Sequence, residues 1–239
     1  MGTLHPHLKA IVMNVLSDTI AIETKEPRAK RRKLASCKIG LLPRTLPLPA
    51  QLSVQLIAIT GGPGSGKSTL IQALASQGLQ TIPEAAIQVI NELNTEFGVD
   101  GQKEWRKTNK DEFQERVTRK QAALEASASK EAKFAFCDRG RLDGLGYCRH
   151  FKQAVPDAVA DIAESASYAK VFLLETLSED AFANRGADGR TSGRQDSVAI
   201  SKCIGEVYEE HGHTLVRVPV LPVEQRVAWV LSSLGLNES

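Results

Sequence analysis

One stretch constrains this chain more than any other: Ile57-Ala58-Ile59-Thr60-Gly61-Gly62-Pro63-Gly64-Ser65-Gly66-Lys67-Ser68-Thr69. From Gly61 to Ser68 it satisfies G-x-x-x-x-G-K-[ST], a loop that works only between a buried strand and the start of a helix. The flanks supply both. Val54 to Ile59 is a short apolar run rich in β-branched residues, as a strand of a parallel sheet requires. Leu70, Ile71, Ala73 and Leu74 follow at helical spacing, and Gly78 stands where a helix C-terminus is closed.

The residue types explain themselves chemically. Gly61, Gly62, Gly64 and Gly66 free the backbone to turn its N–H groups inward at phosphate oxygens, with Pro63, Ser65 and Thr69 completing the cradle. A helix starting near Lys67 adds the positive end of its dipole. Lys67 is expected on the β- and γ-phosphates, and the Ser68 hydroxyl on Mg²⁺.

Downstream, strand and helix signals alternate, which predicts βαβ units and an α/β fold. Strands are expected at 54–60, 79–82, 134–138, 169–174 and 215–218. Helices are expected at 67–77, from Pro83-Glu84 to a loop at Gly98–Gly101, and over 109–129. That last helix has a capping box at Asn109-x-x-Glu112 and an apolar face of Phe113, Val117, Ala123 and Leu124. Two more helices should flank Pro156, one should run from about Ser178, one over 196–211, and a last one after Pro222.

Charge divides the chain. Residues 1–50 carry nine Lys/Arg and three Asp/Glu, a net +6, and residues 51–239 carry 21 and 25, a net −4. The first 50 residues, with Lys30-Arg31-Arg32-Lys33 and then Pro43, Pro47 and Pro49, read as a basic, partly flexible leader. Its basic run is a candidate for weak contact with an anionic surface. Residues 51–239 read as one P-loop domain, too acidic for a broad nucleic-acid groove. Four cysteines without metal spacing read as reduced thiols of a cytoplasmic protein, and no run is long enough for a membrane span.

In open α/β sheets ligands lie beyond the carboxyl ends of the strands. Asp138-Arg139 ends one such strand: Asp138 is a candidate Mg²⁺ ligand or base, and Arg139 a candidate anion holder, against a helix N-cap and a surface pair respectively. Glu84 ends another and is a candidate general base, against a first-turn Glu favoured by the helix dipole. Arg185, Arg190 and Arg194, interleaved with glycines, suit a lid that closes on a triphosphate, against a solvated loop. Pro219 begins an apolar corner for a nucleotide base, against a plain helix start. Asp143 and Tyr147 are four apart and share a helix face.

Together these motifs resemble a P-loop subfamily carrying an AAA label, which includes the ribosylnicotinamide kinase domain of NadR-type regulators and the TRPL-translocation-defect GTP-binding proteins. The resemblance rests on Thr60–Thr69, Pro83-Glu84-Ala85-Ala86, Asp138-Arg139-Gly140 with Asp143 and Tyr147, Asp188…Arg190, and Val218-Pro219 with Val223-Glu224-Gln225-Arg226-Val227. It covers about residues 54–231. It implies a nucleotide-kinase-like three-layer sandwich, a five-stranded parallel sheet of order 2-3-1-4-5, Mg²⁺, and ATP or GTP. Ala85-Ala86 stands where that group often has Ala-Arg, so no arginine role is expected there.

The expectation is a Mg²⁺-dependent phosphotransferase acting on a small hydroxyl-bearing acceptor, nucleoside- or riboside-like. Its rivals are a nucleotide-binding switch that signals to a protein or membrane partner, and a module docked through its basic leader. No N-K-x-D-like stretch follows Leu174, so the residues do not choose between ATP and GTP.

Overall fold

A computed structural model describes residues 53–183 and 193–236. The leader, its boundary near residue 50, and the lid arginines Arg185 and Arg190 lie outside the described residues.

Five strands form one parallel sheet: β1 (Gln55–Thr60), β2 (Gln80–Ile82), β3 (Phe134–Asp138), β4 (Lys170–Leu174) and β5 (Leu215–Val218), in the order β2-β3-β1-β4-β5. That is the expected order. The register pairs Ile59 with Asp138 and Thr60 with Leu173, so β1, β3 and β4 end level with one another and their loops open on the same edge.

Alternation along the strands decides which helices cover which face. Ile57, Ile59, Phe136, Phe172 and Leu174 point to one side and pack on α1 (Lys67–Ser76) and α8 (Val223–Ser233) through Leu70, Leu74, Val227 and Val230. Ala58, Ala135, Cys137 and Val171 point to the other. These smaller side chains admit α4 (Asp143–His150), α5 (Asp157–Glu164) and α7 (Arg194–Glu210), which bring Leu142, Val159, Ile204 and Tyr208 into the second core. A truncation such as Phe136→Ala in the first core or Ile204→Ala in the second costs about 2–5 kcal/mol, so two full cores anchor the strand ends that carry the site. The remaining helices are α2 (Ala85–Thr108), α3 (Lys110–Ala126) and the short α6 (Glu179–Ala183).

Three details differ from the sequence reading. The loop expected at Gly98–Gly101 is only a kink: Gly98 takes φ 74°, ψ 168°, and helical structure resumes to Thr108. The capping box at Asn109 does not form. Asn109 instead donates from Nδ2 to the carbonyl of Trp105, because α2 and α3 meet at this one residue and the end of α2 claims it. Of the expected apolar face of α3, Leu124 packs against the core, but the fully buried positions are polar, Thr118, Gln121 and Glu125, and the last two bond to Arg139 and Arg141 of the site.

Among the described residues no helix is long and apolar enough to cross a membrane. Cys137, Cys148 and Cys203 are free thiols.

Candidate functional site

The loop from Gly61 to Gly66 leaves β1 and enters α1 through backbone conformations that favour glycine: Gly61, Gly64 and Gly66 take φ of 139°, 71° and 84°. Gly66 is the N-cap of α1 and brings no side-chain cap, so the first-turn amides remain for an anion. Gly62 is required for a different reason, which the sequence did not show. A Cβ there would collide with the backbone of Ser197 on α7, whose Oγ donates to the Pro63 carbonyl at 2.7 Å. The first turn of α7 is thereby latched to the phosphate loop.

Lys67 is buried and donates to the carbonyls of Gly61 at 3.1 Å and Gly62 at 2.7 Å and to Ser65 Oγ at 3.3 Å. Ser68 Oγ donates to Asp138 Oδ2 at 3.0 Å. Asp138 Oδ1 is buried with no hydrogen-bond partner. Burial, and then the negative charge of Glu84, push the Asp138 carboxyl above its ordinary range, against Arg139, Lys67 and the Ser68 hydroxyl. A hydroxyl next to an under-satisfied carboxylate fits a hard cation, which takes its other ligands from phosphate and water. The residues present therefore fit Mg²⁺.

Beside this pair lies a buried ionic triad. Arg139 directly follows β3 and takes φ 73°, a left-handed conformation uncommon for a residue with a side chain. Its Nε donates to Glu84 Oε1 at 2.9 Å and its Nη1 to Asp143 Oδ2 at 3.0 Å. The exposures of Arg139, Glu84 and Asp143 are 6 %, 6 % and 4 %. Burial opposes the charge on Arg139, but Tyr147, Glu84 and Asp143 outweigh it and raise the guanidinium well above its usual value. The Tyr147 ring sits 5.5 Å from Arg139 Cζ. Asp143 also accepts from Thr60 Oγ1 at 2.8 Å and from the fully buried Tyr208 hydroxyl at 2.9 Å. Arg139 is thus not a surface pair but the hub between two carboxylates. Its Nη2 is left buried without a partner.

A second polar layer supports the hub. Gln121 of α3 donates to the Arg139 carbonyl at 3.1 Å and to Glu125 at 3.1 Å. Glu125 also accepts from Arg141 Nε at 2.8 Å and from the Tyr168 hydroxyl at 2.7 Å. This is where the polar face of α3 goes.

One cleft of about 1120 Å³ opens here, bounded by Gly64, Gly66, Lys67, Ser68 and Thr69 on one side and by α2 and α3 on the other; Asp138 lies behind Ser68 and is not in its wall. Glu84, Arg139 and Asp143 are in its wall. Arg226 of α8, which drew no role in the sequence, also lines it and donates from Nη1 to the Ser65 carbonyl at 3.2 Å. Arg226 stood in the Val223–Val227 stretch that carries the resemblance, but without a role of its own. Arg194 opens α7 and donates from Nε to the Leu177 carbonyl at 2.8 Å rather than lining the cleft itself. Pro219 follows β5 half-buried and is not in the cleft wall.

The sheet order, the phosphate loop and the carboxylates at the strand ends define a P-loop protein of the nucleotide-kinase fold. The AAA domain profile matches residues 56–226, and the chain belongs to that family. No functionally curated protein matches it in sequence. Among solved structures it is similar to thymidylate kinase from Candida albicans, with 17% identity, TM-score 0.53, and 78% of this chain and 94% of that one covered. It is also similar to deoxyadenosine kinase from M. mycoides with dCMP and dCDP, with 18% identity, TM-score 0.53, and 75% and 98% covered. The same kinase with bound dCTP aligns at 16% identity, TM-score 0.53, over 75% and 98%.

Proposed function

We propose that this chain is a phosphotransferase that moves the terminal phosphoryl of ATP or GTP to a hydroxyl of a small, nucleoside- or riboside-like acceptor. The observation that carries this reading is the buried Glu84–Arg139–Asp143 triad in the wall of the cleft that the phosphate loop also lines. The cleft runs on from the phosphate loop past this triad along α2 and α3, which leaves room for an acceptor beside the nucleotide. Solved structures of the same fold with bound dATP and dCTP support a nucleotide in the cleft.

In this reading the loop amides, Lys67 and Arg226 hold the phosphates. Ser68 and Asp138 would hold Mg²⁺, which supplies charge neutralisation of the phosphates when bound. Glu84, fixed in place by Arg139 Nε, accepts the acceptor's hydroxyl proton, and Arg139 Nη2 is available to an incoming oxygen. Arg185 and Arg190 would offset charge on the transferred group, with Arg194 anchoring the start of α7 on the Leu177 carbonyl.

The test is nucleotide consumption by the full chain with ATP and with GTP across nucleosides, ribosides and amino acids. Acceleration by one acceptor class is the expected result. No acceleration by any acceptor, with activation by a partner protein instead, would establish the switch.

Two substitutions probe the nucleotide half of the cleft. Lys67→Ala should weaken triphosphate binding roughly 100-fold, since hydrogen bonds to a charged group are each worth about 1.5–3 kcal/mol. Calorimetry showing unchanged affinity for both ATP and GTP would remove Lys67 from the phosphates. Asp138→Asn should flatten the Mg²⁺ dependence of nucleotide binding, because a neutral amide is a poorer ligand for a hard cation. A Mg²⁺ titration that superimposes on the wild-type curve would contradict the assignment.

A further inference from the structure

The cleft continues past the triad, along α2 and α3, to a place the phosphate chemistry does not use. Ile87, Ile90, Phe113 and Val117 line it there, and Ile87 is 47% exposed, so apolar side chain faces open space. Beyond them stands Arg106, also in the cleft wall. Its Nε donates to Oε1 of the buried Gln102 at 2.7 Å, and its Cζ lies 5.4 Å from the Phe113 ring centroid.

Arg106 differs from the cations around it. Lys103 is paired with Asp100, Lys107 with Glu104, and Arg116 with Glu112. Among the described residues Arg106 has no carboxylate partner, and its two Nη groups have no hydrogen bond, while Gln102 and Phe113 hold the guanidinium in one place. Partial burial lowers its pKa without any anion to offset the cost. A guanidinium oriented through Nε leaves its two Nη groups side by side, which matches the two oxygens of a planar anion.

The spacing fits one small molecule. Gln121 touches the Arg139 carbonyl, and Phe113 lies eight residues before it on the same helix. At 1.5 Å per residue these positions are about 12 Å apart along α3, room for a nucleoside that carries a further substituent on its base.

We propose that the far end of the cleft is a subsite for a carboxylate borne on the flat ring of the acceptor, with Arg106 as the specificity-determining residue and the Ile87, Ile90, Phe113 and Val117 side chains as the slot for the ring. The inference rests on the phosphotransferase reading for the acceptor's hydroxyl end, but the subsite can be tested by binding alone.

The probes are matched ribosides that differ only in charge: 5-carboxyuridine against 5-carbamoyluridine, and the same pair of cytidines. Each is measured by calorimetry and by acceptor-dependent release of nucleoside diphosphate, with the full-length protein. The wild type should prefer the carboxylate member about 10–100-fold, the range for charge-assisted hydrogen bonds. Arg106→Gln should bring the ratio close to one, and Arg106→Lys should keep part of it. Ile90→Ala, which leaves Gln102 and Phe113 in place around Arg106, should weaken both members alike and leave the ratio intact, which separates loss of the slot from loss of the charge. Carboxylate-selective binding that depends on Arg106, without turnover, would support the subsite and overturn the phosphotransferase reading. Turnover with no carboxylate preference, or with a preference unchanged in Arg106→Gln, would overturn the subsite and leave the phosphotransferase standing. If no riboside binds or reacts, both fall.

Discussion

Glu84→Gln is expected to lower turnover by roughly 10²–10⁴, the usual range for loss of a general base, with little change in nucleotide affinity. The amide keeps an oxygen for Arg139 Nε, which approaches Glu84 at 2.9 Å, so the side chain stays where it is and only its capacity to take a proton is lost. Nucleotide affinity is spared because the phosphates are served by Lys67, Ser68 and the loop, on the other side of the cleft. Single-turnover rates with saturating nucleotide and acceptor, set beside calorimetric affinities, make the measurement. If affinity collapses while the rate per bound nucleotide is kept, Glu84 belongs with the cation and not with the acceptor. Equal rates for both proteins would remove it from the chemistry.

Arg139→Leu should destabilise the fold by about 3–5 kcal/mol, the range for removing one partner of a buried ion pair. Two buried carboxylates, Glu84 and Asp143, would lose the guanidinium they share. Leucine also inherits the left-handed backbone at this position, so no strain is released. Urea unfolding reads this directly. A loss below about 1 kcal/mol would mean the triad is solvated in the working protein.

The sequence by itself determined the parts whose physics is local. The phosphate loop, the strands around it and the carboxylates at their ends were legible because a glycine-rich turn between an apolar strand and a helix has few other uses. Asp138 and Glu84 could be placed because a parallel sheet sends each strand end to the same edge, and register then set Ile59 beside Asp138. The buried face of α3 was misread for the opposite reason. Thr118, Gln121 and Glu125 look like solvent residues in sequence, and only the arrival of Arg139, Arg141 and Tyr168 from other elements makes burying them favourable. Gly62 was credited with backbone freedom, whereas α7 needs its missing Cβ. Arg226 is 161 residues from the Ser65 carbonyl it donates to, and Arg106 gains meaning only from the apolar slot that α2 and α3 form together. Local propensity and motif spacing are written along the chain. The pairing of buried charges is settled only when distant segments exclude water from the same place.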